Sequence, residues 1–304
     1  MSLSLNAGVT YGLRLLAFFL FTLVTALLSL PLLLGVVTAV DLVYAPCSEG
    51  GATPSDYGLA WQDVTLPARI GGQFRGFYIP GPSGAAVIIP PTGSNGRSGR
   101  LAEAAMLAQN GYTVLLYESR RCAGMGPLSL GYLEVAEVGD ALDFLLAQDG
   151  VDPARIGVYG FSTAGATSIM AAAELPQLQA VIAEGGYGDF INNALLRHEN
   201  DRLSAYFLDL HHWSLRQSYR LLIGLDLSQL SPVRVIDRIA PRPILLIYGS
   251  EEISRAGAVD QQAAAGTNAD LWIVEGAGHG GYRAVAGEVY ERRVVGFFDR
   301  GLGN

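Results

Sequence analysis

The chain has 304 residues, half of them apolar and only 16% charged, with a formal net charge of −8. That composition excludes a disordered chain, and the lack of any Lys/Arg cluster argues against a nucleic-acid-binding surface. All of the basic residues are arginines, so a phosphate-loop lysine, a Schiff base and a Ser-x-x-Lys nucleophile pair are excluded as well.

From Leu15 to Val40 the sequence carries no charge. At ~1.5 Å per residue a helix of that length exceeds the ~30 Å hydrocarbon core, and Pro31 is tolerated better in a membrane helix than in a soluble one. A signal peptide would have an apolar core of only ~7–15 residues and a small-x-small cleavage site, and Pro46 spoils such a site in Val43–Cys47. The expectation is an uncleaved anchor over residues 1–43 and a linker over 44–58. Arg14 precedes the span, whereas Asp41, Glu49 and Asp56 follow it. The positive-inside rule therefore expects a single-pass membrane protein whose remaining portion lies outside the cytoplasm.

The remaining residues, 59–304, alternate short apolar runs with amphipathic stretches. Strands are expected at Ala60–Leu66 and Gln73–Ile79, joined through Gly71-Gly72 as an edge hairpin, then at Ala85–Ile89 and Thr113–Tyr117. Between these last two, Ser98–Gln109 has helical spacing and ends at Gly111. Glu134–Gln148 is helical, Ile156–Tyr159 is a strand, Thr163–Ala173 a small-residue helix, and Ala180–Ala183 a strand. Residues 188–240 break this rhythm and predict a small helical lid. Strands resume at Pro243–Tyr248 and Leu271–Val274, and Ala284–Phe298 closes as a helix. The pattern predicts an α/β fold, a mostly parallel central sheet with helices on both faces.

Gly160-Phe161-Ser162-Thr163-Ala164-Gly165 joins a strand to a helix. A sharp turn there lifts a serine hydroxyl above the strand ends and points the Thr163 N–H toward developing negative charge. Gly/Ser/Ala-rich helix starts also occur for packing alone, so the chemistry needs partners. A serine needs a base, and the only histidines are at 198, 211, 212 and 279. His198, His211 and His212 fall in the lid. His279 lies in a glycine-rich loop directly after the last strand.

The imidazole in turn needs a carboxylate. Glu252, three residues after Gly249 and just beyond a strand, is the first choice. Glu251 is a substitute, and Asp189, after an earlier strand, is a further candidate. The expected triad is Ser162, Glu252 and His279, in that chain order. The second oxyanion donor is expected from the loop Pro90–Asn95, where Pro91 has no N–H and Thr92 is the best placed. No metal or cofactor is called for, and Cys47 and Cys122 have no metal-ligand spacing. They are either separate thiols or one disulfide.

With these residues in view, roughly 57–304 resembles the α/β-hydrolase superfamily. It is most similar to bacterial dienelactone-hydrolase or serine-aminopeptidase-like members with an N-terminal membrane helix. The segments that carry this are Gly111-Tyr112-Thr113-Val114, Asp152–Gly157, the Ser162 turn and Gly276–Tyr282. Departures are Pro90-Pro91, Ala164, Glu252, and Arg120-Arg121-Cys122 where members often have Arg-Gly-His. The resemblance implies the α/β-hydrolase fold and hydrolysis as the reaction, and the expected partner is a small-molecule acyl substrate. An ester is expected first, a peptide or amide second, and a catalytically silent membrane-tethered module is the remaining reading.

Overall fold

The computed structural model describes residues 2–194 and 202–303, so His198 lies outside the described residues. The chain divides into two compact units. One takes the chain up to Asp41 together with the described part of 197–226, and the other takes 42–196 and 227–304.

The larger unit is built on one eight-stranded sheet. Its strands are β1 (Gln62–Pro67), β2 (Gln73–Ile79), β3 (Ala86–Ile89), β4 (Thr113–Tyr117), β5 (Ile156–Phe161), β6 (Leu178–Glu184), β7 (Ile244–Gly249) and β8 (Ala269–Val274). The spatial order is β1-β2-β4-β3-β5-β6-β7-β8. Only the β1–β2 and β2–β4 pairings are antiparallel, which makes the expected hairpin the sheet's edge.

Alternation along the strands explains the layers. Ile88, Leu115, Val158, Val181 and Leu246 point into one apolar core, and their neighbours Val87, Val114, Tyr159, Ile182 and Leu245 into the other. The first core is closed by α3 (Tyr132–Leu146), α4 (Thr163–Glu174) and α6 (Arg255–Ala265), through Val138, Leu142, Ile169 and Ala258. The second is closed by α2 (Leu101–Gln109) and α8 (Glu288–Leu302), through Leu101, Met106, Val294 and Phe298. Each fully buried aliphatic chain contributes about 1.5–3 kcal/mol of transfer free energy, so both faces of every central strand stabilise the sheet.

Three local features go beyond the expectation. The closing helix is two helices, α7 (Tyr282–Ala286) and α8, because Gly287 breaks the run at φ 55°. Helix α6 lacks a strong apolar period, and its inward face is only Gly257, Ala258, Gln261 and Ala265. The lid stretch contains a π-helical turn at Phe190–Ala194, helix α5 (Arg202–Ile223) and three short 3-10 turns between Leu227 and Ile239. Of these, α5 groups with the N-terminal helix rather than with the sheet.

The smaller unit contains α5 and helix α1 (Ser2–Tyr44) as far as Asp41. From Thr10 to Tyr44 this helix is long and apolar enough to cross a membrane. Within it the Thr22, Thr25 and Thr38 hydroxyls donate to the carbonyls of Phe18, Phe21 and Leu34. Within the larger unit Cys47 and Cys122 form a disulfide, which settles the alternative that the sequence leaves open. Beside it the Ser48 and Asn95 backbones form a β-bridge.

Candidate active site

β5 and β6 lie side by side in the middle of the sheet, and the turn after β5 carries Ser162. Its backbone sits at φ 57°, ψ −124°, a region that non-glycine residues rarely adopt. The surroundings over-determine it. Ser162 N–H donates to the Glu184 carbonyl at 2.7 Å, and the Ser162 carbonyl accepts from Gly165 at 2.9 Å and Ala166 at 3.3 Å. A Cβ at Gly160 would collide with the Ala164 carbonyl and with Ser168 Oγ, so the position admits only glycine.

The close approaches around this turn are made by Gly165 and Gly186. A Cβ on Gly165 would stand 3.0 Å from the Glu184 carbonyl, and one on Gly186 would stand 2.8 Å from Ala166 N. Ala164 itself is buried without conflict.

His279 Nε2 lies 3.0 Å from Ser162 Oγ, and His279 Nδ1 lies 3.2 Å from Glu252 Oε2. The loops that hold them are locked together. Glu251 N–H donates to the Ala277 carbonyl, Gly276 N–H donates to Ser250 Oγ, and Ala277 is fully buried. Glu251 projects to solvent while Glu252 is buried, so of the two adjacent glutamates only Glu252 meets the imidazole. Asp189 is employed elsewhere: its Oδ1 accepts from the N–H groups of Ile191 and Asn192, and its Oδ2 lies 3.8 Å from Arg234. An imidazole between a hydroxyl and a buried carboxylate can take the hydroxyl proton while its own charge is offset.

Thr163 occupies the first position of α4, where a backbone N–H has no partner inside the helix. The Thr92 loop is pinned to the same turn. Thr92 Oγ1 donates to the Phe161 carbonyl at 3.0 Å, and Gly93 N–H donates to Thr163 Oγ1 at 3.0 Å. The Thr92–Gly93 stretch is therefore bonded to the residues immediately before and after Ser162.

Sequence reasoning missed three supports. Tyr282 donates its phenol hydrogen to Glu252 Oε2, and burial first, then that hydrogen bond and the Glu252 charge, hold the phenol above its ordinary pKa. The Phe161 ring stacks on His279 at 4.8 Å and 33°, and also carries the Arg100 guanidinium at 4.6 Å. Beneath it Arg100 pairs with the fully buried Glu184 at 2.7 Å and donates to Tyr159, while Tyr290 donates to the other Glu184 oxygen. The only visible signals were proximity: Phe161 is the variable residue of the Ser162 motif, and Tyr282 ends the His279 loop.

The Arg120-Arg121-Cys122 departure is structural. Cys122 is in the disulfide, Arg121 donates to the Ala45 carbonyl at 3.0 Å, and Arg120 pairs with buried Glu137 at 3.0 Å. His211 lies 3.1 Å from Thr38 Oγ1, and the His212 ring is 5.5 Å from that of His211. Among the described residues no group of three or more His, Cys, Asp or Glu side chains is arranged to hold a metal.

The comparisons agree with this fold. Residues 91–201 match the model of the X-Pro dipeptidyl-peptidase (S15) family. An uncharacterized protein of Mycobacterium tuberculosis, Rv2307c, is 30% identical over 144 residues, covering 46% of this chain and 51% of the relative. The match thus spans about half the length of that relative. The Pyrococcus furiosus esterase Pf2001 superposes with a TM-score of 0.66 at 22% identity, covering 86% of this chain and 99% of the esterase. A puromycin-hydrolyzing peptidase of M. tuberculosis gives 0.64 at 20% identity, covering 81% of this chain and 40% of that one. The chain has the α/β-hydrolase fold.

Proposed function

We propose that the chain is a serine hydrolase that cleaves a carboxylic ester through a covalent acyl-enzyme. The observation that carries this is the unbroken line from Ser162 Oγ through His279 to Glu252, at 3.0 and 3.2 Å. In this reading Ser162 attacks the ester carbonyl while His279 Nε2 takes its proton. The backbone N–H groups of Thr163 and Thr92 hold the oxyanion. Collapse of the tetrahedral intermediate expels the alcohol, which receives the proton from His279. Water, activated by the same imidazole, then releases the acid. Glu252 holds His279 in one tautomer and offsets its charge, and this cycle calls for no metal or cofactor.

A fluorophosphonate probe tests the nucleophile. It is expected to label the wild-type chain and not Ser162→Ala, and equal labelling of both would refute the assignment. A second reading, peptide or amide hydrolysis on the same triad, is favoured by the X-Pro dipeptidyl-peptidase match over 91–201. Turnover of aminoacyl amides without turnover of short-chain esters would select it.

We also propose that α1 is an uncleaved single-pass anchor with the sheet unit outside the cytoplasm. The disulfide between Cys47 and Cys122 supports that side, because such bonds persist in oxidising compartments.

A further inference from the structure

Helix α5 presents two apolar faces. At ~100° per residue one face carries Leu215 and Tyr219, both fully buried. On the opposite side Tyr206, Leu210, Trp213, Gln217 and Leu221 fall in one stripe. Tyr206 is 51%, Trp213 56% and Leu221 87% exposed. Asp209 and Arg220 border one edge of this stripe, and both are exposed. An exposed tyrosine, tryptophan and leucine on one helix face need a partner more than three scattered ones would.

Polar contacts to α1 fix the level of α5 along the anchor. Ser214 Oγ donates to the Leu32 carbonyl at 2.6 Å, and His211 Nε2 lies 3.1 Å from Thr38 Oγ1. Between them a Cβ on Gly35 would stand 2.6 Å from the His211 carbonyl, so the two backbones nearly touch. From Thr10 on, α1 is covered only at positions from Pro31 onward, and every residue from Thr10 to Leu30 is exposed. The contact falls near the middle of a 22-residue helix. A helix running along α1 from that point would cover another two or three turns below Pro31, so α5 lies across the anchor.

Depth follows from length. Counting from Arg14, twenty residues at ~1.5 Å each reach Leu34 and fill the ~30 Å hydrocarbon core. With Arg14 taken as the inner boundary, the crossing at Gly35 falls where hydrocarbon meets headgroups on the other side. Tryptophan and tyrosine concentrate at that boundary, and a helix lying in its plane buries one apolar face in lipid.

We propose that α5 is an interfacial helix, with the Tyr206–Leu221 stripe seated in the lipid surface that the anchor penetrates. This rests on the reading of α1 as a membrane anchor. The partner is the bilayer, and Arg220 at the edge of the stripe is placed to reach phosphate while its stem stays apolar.

The test uses the full chain, whose native cysteines are paired, with one cysteine introduced at a time. The variants are Tyr206→Cys, Trp213→Cys, Leu221→Cys, Val24→Cys in the anchor and Val259→Cys on exposed α6. Each carries an environment-sensitive fluorophore in phosphatidylcholine/phosphatidylglycerol vesicles that contain lipid spin-labelled on the upper acyl chain. The labels at 206, 213 and 221 are expected to be quenched several-fold more than the label at 259, and the label at 24 to be shielded from aqueous quenchers. Shielding at 24 with no excess quenching at 206, 213 and 221 overturns the proposal and leaves the anchor standing. Aqueous access at 24 overturns both. Labels at 206 and 213 that quench one another between chains, without lipid quenching, assign the stripe to a second copy and overturn the proposal.

Discussion

The Tyr282 phenol donates to the same Glu252 oxygen, Oε2, that stands 3.2 Å from His279 Nδ1. Glu252 Oε1, by contrast, is buried with no partner among the described residues. One oxygen thus both orients the imidazole and receives the tyrosine. A hydrogen bond to a charged group is worth about 1.5–3 kcal/mol. Tyr282→Phe is expected to lower kcat on a short-chain nitrophenyl ester by about tenfold, the lower end of that range expressed in the transition state. KM should stay unchanged, because the phenol is bonded to the acid and not to Ser162. A raised KM with an unchanged kcat would place Tyr282 on the substrate side.

Glu252 and Glu251 are adjacent in sequence but opposite in environment, one buried against His279 and the other in solvent. Glu252→Gln keeps the shape and removes the charge that fixes the tautomer, so kcat should fall by about 10³–10⁴-fold. Glu251→Gln is a surface change worth within about 0.5 kcal/mol, so its rate should stay within about twofold. Steady-state kinetics on the two variants check this, and comparable losses would contradict the assignment of Glu252.

The buried Glu184 carboxyl is pushed up to about 7, first by burial, against the pull of Arg100 and the two tyrosine hydroxyls. A folded-state pKa above the unfolded value means that the native state holds the proton longer. The stabilising effect of that proton is complete below the unfolded pKa of about 4.5 and is lost as pH rises through 7. Across that window the loss of stability amounts to about 3 kcal/mol. Unfolding midpoints measured from pH 5 to 8 should fall more in the wild type than in Glu184→Gln, which stays neutral throughout. Parallel curves would show that Arg100 keeps Glu184 ionised across the range.

Cys47 and Cys122 are 75 residues apart, so their bond closes a long loop. Chain entropy assigns such a loop about 4 kcal/mol of stabilisation. Cys47→Ala with Cys122→Ala should lower the unfolding midpoint of the chain by several degrees. A maleimide should label neither cysteine before reduction and both afterwards. Labelling of the native, unreduced protein would contradict the pairing and remove its support for the extracytoplasmic side.

Much of the fold is legible because the chemistry is local. Val87/Ile88, Val114/Leu115 and Val181/Ile182 announce strands buried on both faces, and the alternation with helical spacing implies a parallel sheet. The meeting of Ser162, Glu252 and His279 is legible because each lies just beyond an apolar strand. Long-range geometry is less so. Nothing local links Gly186 to Ala166, or Tyr282 to Glu252. Helix α6 hides because an alanine-lined face gives little apolar period. The grouping of α5 with α1 includes a close approach at Gly35, a small residue whose role appears only when a second helix packs on it.

Burst kinetics on a nitrophenyl ester, with the acylated peptide located by mass spectrometry, test the central claim most directly. An acyl-enzyme on Ser162 predicts rapid release of nitrophenol stoichiometric with enzyme, and acyl mass on the peptide that contains Ser162. In Ser162→Ala both the burst and the adduct should vanish. A burst that survives Ser162→Ala, or acyl mass on another peptide, would contradict the account.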